Sequence, residues 1–141
     1  MTFSLAGLLR VRSAQERAAA EQLSQASADV ARAEAAERSV ADGLTGIGAE
    51  AGDGAALMAI AAARAAGRSM LGDLQTLTEL LRGEEETARA AHVEARRDLK
   101  GLERMEAAYT TSAAKAELDA EQRALDEVAG LRAARAEGSA A

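Results

Sequence analysis

Cysteine, proline and tryptophan are absent from this sequence, and phenylalanine and tyrosine occur once each. Without cysteine, the chain has neither a disulfide framework nor a thiolate metal site. Aromatic side chains supply much of the buried area of globular cores, so a conventional globular core is not expected here. Because proline, the strongest helix breaker, is also missing, these absences leave a chain suited to long helices.

Charge and hydropathy exclude two further classes of protein. The net charge is −6, and acidic residues are spread among basic ones. Phosphate binding needs a basic face, so nucleic acid is not expected as a partner. The longest apolar runs are far too short for a membrane span. The N-terminal stretch is poor in acids up to Glu16 and faintly resembles a transit peptide, but the apolar stripe described next runs through it without a break.

The residues that are present are mainly strong helix formers: alanine, glutamate, arginine, leucine and glutamine. Such a composition with regular apolar spacing is typical of long helices and coiled coils. An alanine-rich disordered chain is the alternative. The ordered stripe in the first third of the sequence argues against disorder.

That stripe, the first seam, starts at Leu5 and advances by alternating steps of four and three residues as far as Ile47. A spacing of 3.5 sustained over about six heptads predicts a coiled coil, because a helix on a globular core drifts off it. Three of its positions are charged, and two of them, Arg12 and Glu16, lie near its start and raise the question of what they meet. Ser4 or Thr2 is the expected N-cap. The first seam comprises Leu5, Leu9, Arg12, Glu16, Ala19, Leu23, Ala26, Val30, Ala33, Glu37, Val40, Leu44 and Ile47.

A glycine-rich segment, DGLTGIGAEAGDG at residues 42–54, interrupts the pattern with five glycines. Each costs roughly 1 kcal/mol in a helix interior, so the first helix is expected to end here. Asp53 is the expected N-cap of the second helix. Glycines at 67 and 72 weaken that helix locally.

The second helix carries a less regular stripe, which shifts by a couple of residues near its C-terminal third. Its predicted seam positions are Leu74, Leu77, Leu81, Glu84, Ala88, Ala91, Ala95, Leu102, Met105, Tyr109, Leu118, Leu125 and Val128.

Two long helices around one short break predict an all-α fold, an antiparallel two-helix coiled-coil hairpin. We expect helix 1 at about 4–44, the glycine-rich break at about 45–53 and helix 2 at about 54–136. Residues 1–141 form one elongated domain, with a frayed tail at 137–141. Since the helices are unequal, part of helix 2 overhangs, and the alanine-rich seam buries little area. The hairpin therefore resembles a part completed by a partner.

Material for catalysis is poor. The single histidine, His92, is expected at a surface helix position, without a second histidine to make a metal pair. The acidic run Glu84–Glu86 is expected to be a solvated helix face. The glycine-rich segment contains no phosphate-loop motif. The sequence therefore predicts no enzyme, cofactor, metal site or small-molecule substrate.

Interaction chemistry is better represented at the chain ends. Arg10, Arg12 and Arg17 make the first turns basic, and closure of the hairpin would bring the end of helix 2 alongside. Both ends would then form one basic tip with exposed leucines. The alternative is ordinary surface arginine with i,i+4 pairing, such as Arg12 with Glu16. The tip would comprise Leu8, Leu9, Arg10, Arg12, Arg17, Leu131, Arg132 and Arg135.

The opening FSLAGLLRVRSAQERAAAEQLSQA resembles the start of the flagellar export protein FliJ family: an aromatic, a Leu-Leu-Arg-x-Arg run, then glutamate with alternating alanine and leucine. Near the other end, EQRALDEVAGLRAAR resembles that family's Leu-Asp-Glu-x-Ala pattern with trailing arginines. Chain length, lack of cysteine and the two-helix organisation agree. The anchors of the resemblance lie at 3–23 and 118–135.

The resemblance implies a non-enzymatic, stalk-like coiled coil of the flagellar type III export apparatus, cytoplasmic and peripheral at the inner face of the cell membrane through its partners only. Its implied partners are the hexameric export ATPase, which it stimulates, the cytoplasmic domain of the export gate, and export chaperones. The implied ATPase contacts are Leu8, Leu9, Arg10, Arg12, Glu16, Arg17, Leu131, Arg132 and Arg135. Members often carry aromatics near the hairpin turn, where the gate docks; this chain offers Leu44, Ile47, Leu57 and Met58 there.

Two other functions stay open on the sequence alone. One is a structural, self-associating rod whose helix 2 overhang pairs between chains. The other is a helical-hairpin chaperone or membrane-surface protein unrelated to export, although the acidic net charge disfavours anionic lipids.

Overall fold

The protein consists of two helices, in a computed structural model that describes residues 4–48 and 52–140. Helix α1 spans Leu5–Gly46 and helix α2 spans Gly54–Ser139. They pack against each other along α1. Contacts between the helices join Arg12 to Asp98 and Arg64 to Ile47, so the two run antiparallel. The predicted all-α hairpin is confirmed.

Side-chain caps begin both helices. The Ser4 hydroxyl accepts a hydrogen bond from the Gly7 N–H at 3.2 Å, while Thr2, the other predicted cap, lies outside the described residues. The Asp53 carboxylate accepts from the Ala56 N–H at 2.7 Å, as predicted. Each cap satisfies one of the N–H groups that a helix leaves without a partner at its start.

Both helices end later than the sequence predicts. Helix α1 continues to Gly46, and α2 reaches Ser139 instead of ending at 136. The predicted frayed tail is therefore helical up to Ser139, where the Ala140 N–H donates to the Glu137 carbonyl at 3.3 Å. No proline stops the chain there, and alanine and arginine favour continuation.

Helix α2 also runs unbroken through both of its interior glycines. The backbone at Gly67 allows a close approach: a Cβ at this position would lie 3.1 Å from Leu44 Cγ and overlap the end of that side chain. At Gly72, by contrast, the space around such a Cβ is empty. Gly67 is thus a packing position, whereas Gly72 is a tolerated exposed glycine.

The core is small, as the alanine-rich seam predicts. In the described residues the fully buried positions are Val30, Ala33 and Thr78, which are 7%, 6% and 1% exposed. Alanine contributes little area, so few apolar contacts hold the helices together. Polar pairs across the seam therefore matter for the alignment of the helices.

Candidate functional site

Polar pairs join the two helices at several levels along the seam. The hydroxyl of Thr78 contacts the Glu37 carboxylate and lies 2.9 Å from the Leu74 carbonyl oxygen. Further along, the Ser27 hydroxyl donates to Glu85 Oε1 at 2.8 Å. A half-buried carboxylate with a hydroxyl donor is satisfied, whereas one without a partner would be costly. These pairs favour a single alignment of α1 against α2.

The two charged residues near the start of the first seam have partners within the hairpin. Nε2 of His92 lies 2.9 Å from Glu16 Oε1, with the side chains 20% and 23% exposed. Nη1 of Arg12 lies 3.1 Å from Asp98 Oδ2, with exposures of 40% and 44%. Glu16 and Arg12 therefore both have side-chain partners on α2. The i,i+4 pair between them, which the alternative interpretation suggested, is not formed. The expected surface position of His92 is also wrong, because this ring is half-buried on the seam.

One further ion pair crosses at the edge of the seam. Arg82 Nη2 lies 2.9 Å from Glu34 Oε1. This hydrogen bond raises the pKa of the Arg82 guanidinium, as do the nearby carboxylates of Glu37 and Glu79, although partial desolvation opposes the change. The pair is exposed and screened by solvent, so it contributes to alignment more than to stability.

The register of α2 differs from the predicted one at every second position. Leu74, Leu81, Ala88, Ala95 and Leu102 face α1 as expected. Between them, however, Thr78, Glu85 and His92 occupy the seam where Leu77, Glu84 and Ala91 were predicted. Leu77 is 44% exposed, against 1% for Thr78. Adjacent residues lie about 100° apart around a helix, so Leu77, Glu84 and Ala91 lie at the edge of the stripe that faces α1.

The predicted solvated acidic run is correspondingly split. Glu84 and Glu86 are exposed, but Glu85 turns towards α1 and its side chain is 20% exposed. Besides Ser27, it meets Arg89 Nη2 at 3.2 Å. Only two of the three glutamates therefore behave as a solvated face.

The predicted single basic tip does not form. Leu8 and Arg12 share a groove with Leu102 and Met105, which places the start of α1 beside residue 105 of α2. From Met105 to Arg132 is 27 residues, or about 40 Å of helix at 1.5 Å per residue. The end of α2 thus lies far beyond the start of α1. The described part of α2 beyond Met105, residues 106–139, is called the overhang below.

The residues predicted for the tip divide accordingly into two groups. Near the start of α1, Leu8 and Leu9 are half-buried, and Arg10 and Arg17 are exposed. On the overhang, Leu131 is 62% exposed, and Arg132 and Arg135 are exposed as well. All residues of the overhang up to 140 are exposed, including the predicted seam positions Tyr109, Leu118, Leu125 and Val128.

At the other end of the molecule, the turn presents two apolar side chains to solvent. Leu57 and Met58 are 60% and 75% exposed. Leu44 packs towards Gly67, and Ile47 caps α1 with its carbonyl accepting from Arg64 Nη2 at 3.2 Å. Of the four residues predicted at the turn, two are therefore engaged within the hairpin and two are accessible.

Across residues 4–48 and 52–140, no three metal-ligating side chains cluster. Over the same ranges, neither helix holds a stretch apolar and long enough to cross a lipid bilayer.

Comparison with known proteins agrees with this architecture. Neither the curated proteins nor the solved structures give a match. A family model described as Flagellar FliJ protein matches residues 1–138, nearly the whole chain. Its members are non-catalytic coiled-coil proteins related to flagellar export. The chain therefore belongs to the flagellar FliJ family.

Proposed function

We propose that the protein is a stalk of the flagellar export apparatus that binds the hexameric export ATPase and stimulates it. In the same proposal, the stalk couples the ATPase to the cytoplasmic domain of the export gate and assists export chaperones. It acts in the cytoplasm, at the inner face of the cell membrane, through these partners only. Family membership supports the export role and disfavours a rod or chaperone unrelated to export.

The observation that carries the proposal is the unpaired end of α2. Polar groups of the hairpin seam are matched across the two helices, but the overhang exposes Leu131, Arg132 and Arg135 without a partner helix. Most of the stability of a protein helix comes from packing of its amphipathic face, so a segment that packs against nothing is expected to act with a partner. Arginine beside exposed leucine suits a pore lined by carboxylate or carbonyl oxygens, since guanidinium groups bind such oxygens with defined geometry.

Arg12 and Glu16 take a different role in this proposal. Both are occupied by partners on α2, so they hold the start of α1 in place and do not meet the ATPase directly. Arg10 and Arg17, which are exposed on the same turns, provide the contacts there, with the half-buried Leu8 and Leu9 beside them.

The length of α2 supports the coupling role. Its 86 residues extend for about 130 Å at 1.5 Å per residue. One end presents the arginines of the overhang, and the other presents Leu57 and Met58 to solvent. We assign the gate contact to this turn end, where Leu44 and Ile47 support the exposed pair.

A stalk of this kind changes an ATPase by differential binding. A ligand shifts an equilibrium between subunit states only as far as it binds those states with different affinity. A single off-axis helix inside a six-subunit ring contacts the subunits unequally and favours one subunit state over another. Charged contacts then set the orientation more than the affinity.

The test is the rate of ATP hydrolysis by the export ATPase of the same organism, with and without this protein. We expect dose-dependent stimulation that saturates near one chain per hexamer. Reversing Arg132 and Arg135 to glutamate should weaken it. A matched control reverses Arg38 and Arg68, exposed arginines in the turn half of the hairpin, and should leave it intact.

Two outcomes would contradict the proposal. The first is an unchanged rate without co-elution of the two proteins. The second is equal loss of stimulation in the two double variants, which would indicate a response to net charge and not to the end of the stalk. The pair Arg10→Glu with Arg17→Glu then tests the first turns of α1 while the seam pair of Arg12 with Asp98 stays intact.

A further inference from the structure

The overhang carries an apolar stripe that does not continue the seam of the hairpin. Leu102 is the last leucine facing α1, and Leu118 follows it by 16 residues. At about 100° per residue, 16 residues amount to four turns and a further 160°, so Leu118 lies nearly on the opposite side of α2. A longer α1 could therefore not cover this stripe, and its partner must be another helix.

The stripe has the spacing of a coiled-coil seam. Leu118, Leu125 and Arg132 recur every seven residues, and Ala114, Glu121, Val128 and Arg135 recur every seven between them. Such alternation is typical of a and d positions. Leu118 and Leu125 are each 65% exposed, and Val128 is 47% exposed. We call these positions the second seam: Ala114, Leu118, Glu121, Leu125, Val128, Arg132 and Arg135.

The charges of the second seam have no partners in the part of the chain that the structure describes. In the described residues Glu121, Arg132 and Arg135 form no hydrogen bond or ion pair, whereas Glu16 and Arg12 on the first seam have partners on α2. Charged seam positions are costly when they face apolar or like-charged groups, and they select a partner that presents the opposite charge. The occupant must therefore carry a positive group opposite Glu121 and a negative one opposite Arg132.

We infer that the second seam binds the second seam of another copy of this chain, antiparallel, with Glu121 of each copy paired to Arg132 of the other. With positions 121 and 132 opposed, Leu125 faces Val128 of the second copy, and Val128 faces Leu125 of the second copy. These two symmetric layers form the apolar centre of the dimer. Arg135 falls beside Leu118 and within reach of Glu117 of the second copy. In every layer the residue numbers of the two opposed positions add up to about 253. One two-fold axis therefore relates all the layers, and the dimer is closed.

A parallel dimer in register is disfavoured by the same charges. It would place Glu121 against Glu121 and Arg132 against Arg132, and like charges across a seam oppose association. The positions that flank the antiparallel seam raise no such conflict. They are Lys115, Gln122, Ala129, Glu117, Ala124 and Leu131, while Asp119 and Asp126 lie outside it.

The dimer would cover Arg132 and Arg135, which the proposed function assigns to the ATPase, so the two partners exclude each other at this surface. The test of the dimer needs no ATPase: it is sedimentation velocity of the purified full chain from low micromolar to several hundred micromolar. We expect a monomer–dimer equilibrium. Glu121→Arg alone opposes arginine to arginine twice, and Arg132→Glu alone opposes glutamate to glutamate twice. Each single variant should raise the dimer dissociation constant by about tenfold or more.

The decisive measurement mixes the two single variants. A Glu121→Arg chain and an Arg132→Glu chain form a heterodimer in which both seam pairs are again of opposite charge, so association should return to that of the wild type. Asp119→Arg, which changes the net charge as Glu121→Arg does but lies outside the seam, should dimerise normally. Because the substituted residues are exposed on the overhang, circular dichroism of each variant should show an intact hairpin.

Three results would overturn the inference. They are a wild-type chain that stays monomeric over the whole range, single variants that dimerise as the wild type does, and a mixture that fails to associate. The first would leave the second seam to a different protein, and the other two would exclude this antiparallel pairing of the two copies.

Discussion

Replacing Thr78 with valine isolates the contribution of one polar layer to the hairpin. Thr78 is 1% exposed, and its hydroxyl is the donor to the Glu37 carboxylate across the seam. Valine keeps the shape and has a similar helix propensity, so the change removes the hydroxyl and little else. Water cannot replace a donor at a position this buried.

The magnitude follows from the charge of the acceptor. A hydrogen bond to a charged group contributes about 1.5–3 kcal/mol, and the added methyl group returns less than about 1 kcal/mol. We therefore expect Thr78→Val to lower the free energy of unfolding by about 1–2 kcal/mol. With a urea m-value of about 2 kcal/mol/M, the unfolding midpoint falls by about 0.5–1 M.

The assay is urea unfolding followed by circular dichroism, with Thr76→Val as the matched control. The Thr76 hydroxyl is exposed and bonds only the Gly72 carbonyl of its own helix, at 3.1 Å, so its loss should change the midpoint little. Adding Glu37→Leu to Thr78→Val should recover part of the lost stability, since no carboxylate is then left without its donor. The recovery is not complete, because the attraction of Glu37 for the exposed Arg82 is lost as well. A midpoint shift no larger than that of Thr76→Val would refute the reasoning.

Two further predictions concern glycine and the overhang. Gly72→Ala should stabilise the hairpin by about 1 kcal/mol, whereas Gly67→Ala meets the Leu44 side chain and should be less stable than the Gly72 variant by about 1 kcal/mol or more in the same urea assay; equal stabilisation would contradict the close packing. Hydrogen exchange at low protein concentration should be fast at amides in 106–139 and slow where α2 faces α1, because the overhang has no tertiary packing to protect its backbone hydrogen bonds. Equal protection of both segments in dilute monomer would contradict the assignment of the overhang.

Every predicted position of the first seam is confirmed, although the Ser27 contact with Glu85 was missed, and the second helix was predicted only in part. Every predicted position of the first seam from Leu5 to Ile47 is half-buried or buried in the hairpin. Its heptads hold an apolar or charged residue at a fixed spacing, and no neighbouring stripe competes. On α2 the apolar Leu77 stands next to the polar Thr78, and a preference for apolar seam residues selects the wrong one of the two.

The candidate site depended even more on long-range pairing. The basic residues at both chain ends are evident in the sequence, but their separation depends on the register between the helices. That register places Arg12 beside Asp98 and leaves Arg132 about 40 Å along α2 from the start of α1. A signal was present in the unequal helix lengths, which predict an overhang and contradict a tip shared by both ends.

The sequence by itself determined that the chain forms two long helices, where the glycine-rich break falls and which face of α1 is buried, because propensity, capping and heptad spacing are local properties. Only the tertiary structure decided the α2 register, since it depends on which groups satisfy Glu16, Ser27 and Glu37 across the seam. Such pairs join residues 41 to 76 positions apart in the chain. The residue pattern of one helix cannot predict these pairs, because each polar residue meets its partner only when the second helix is in place.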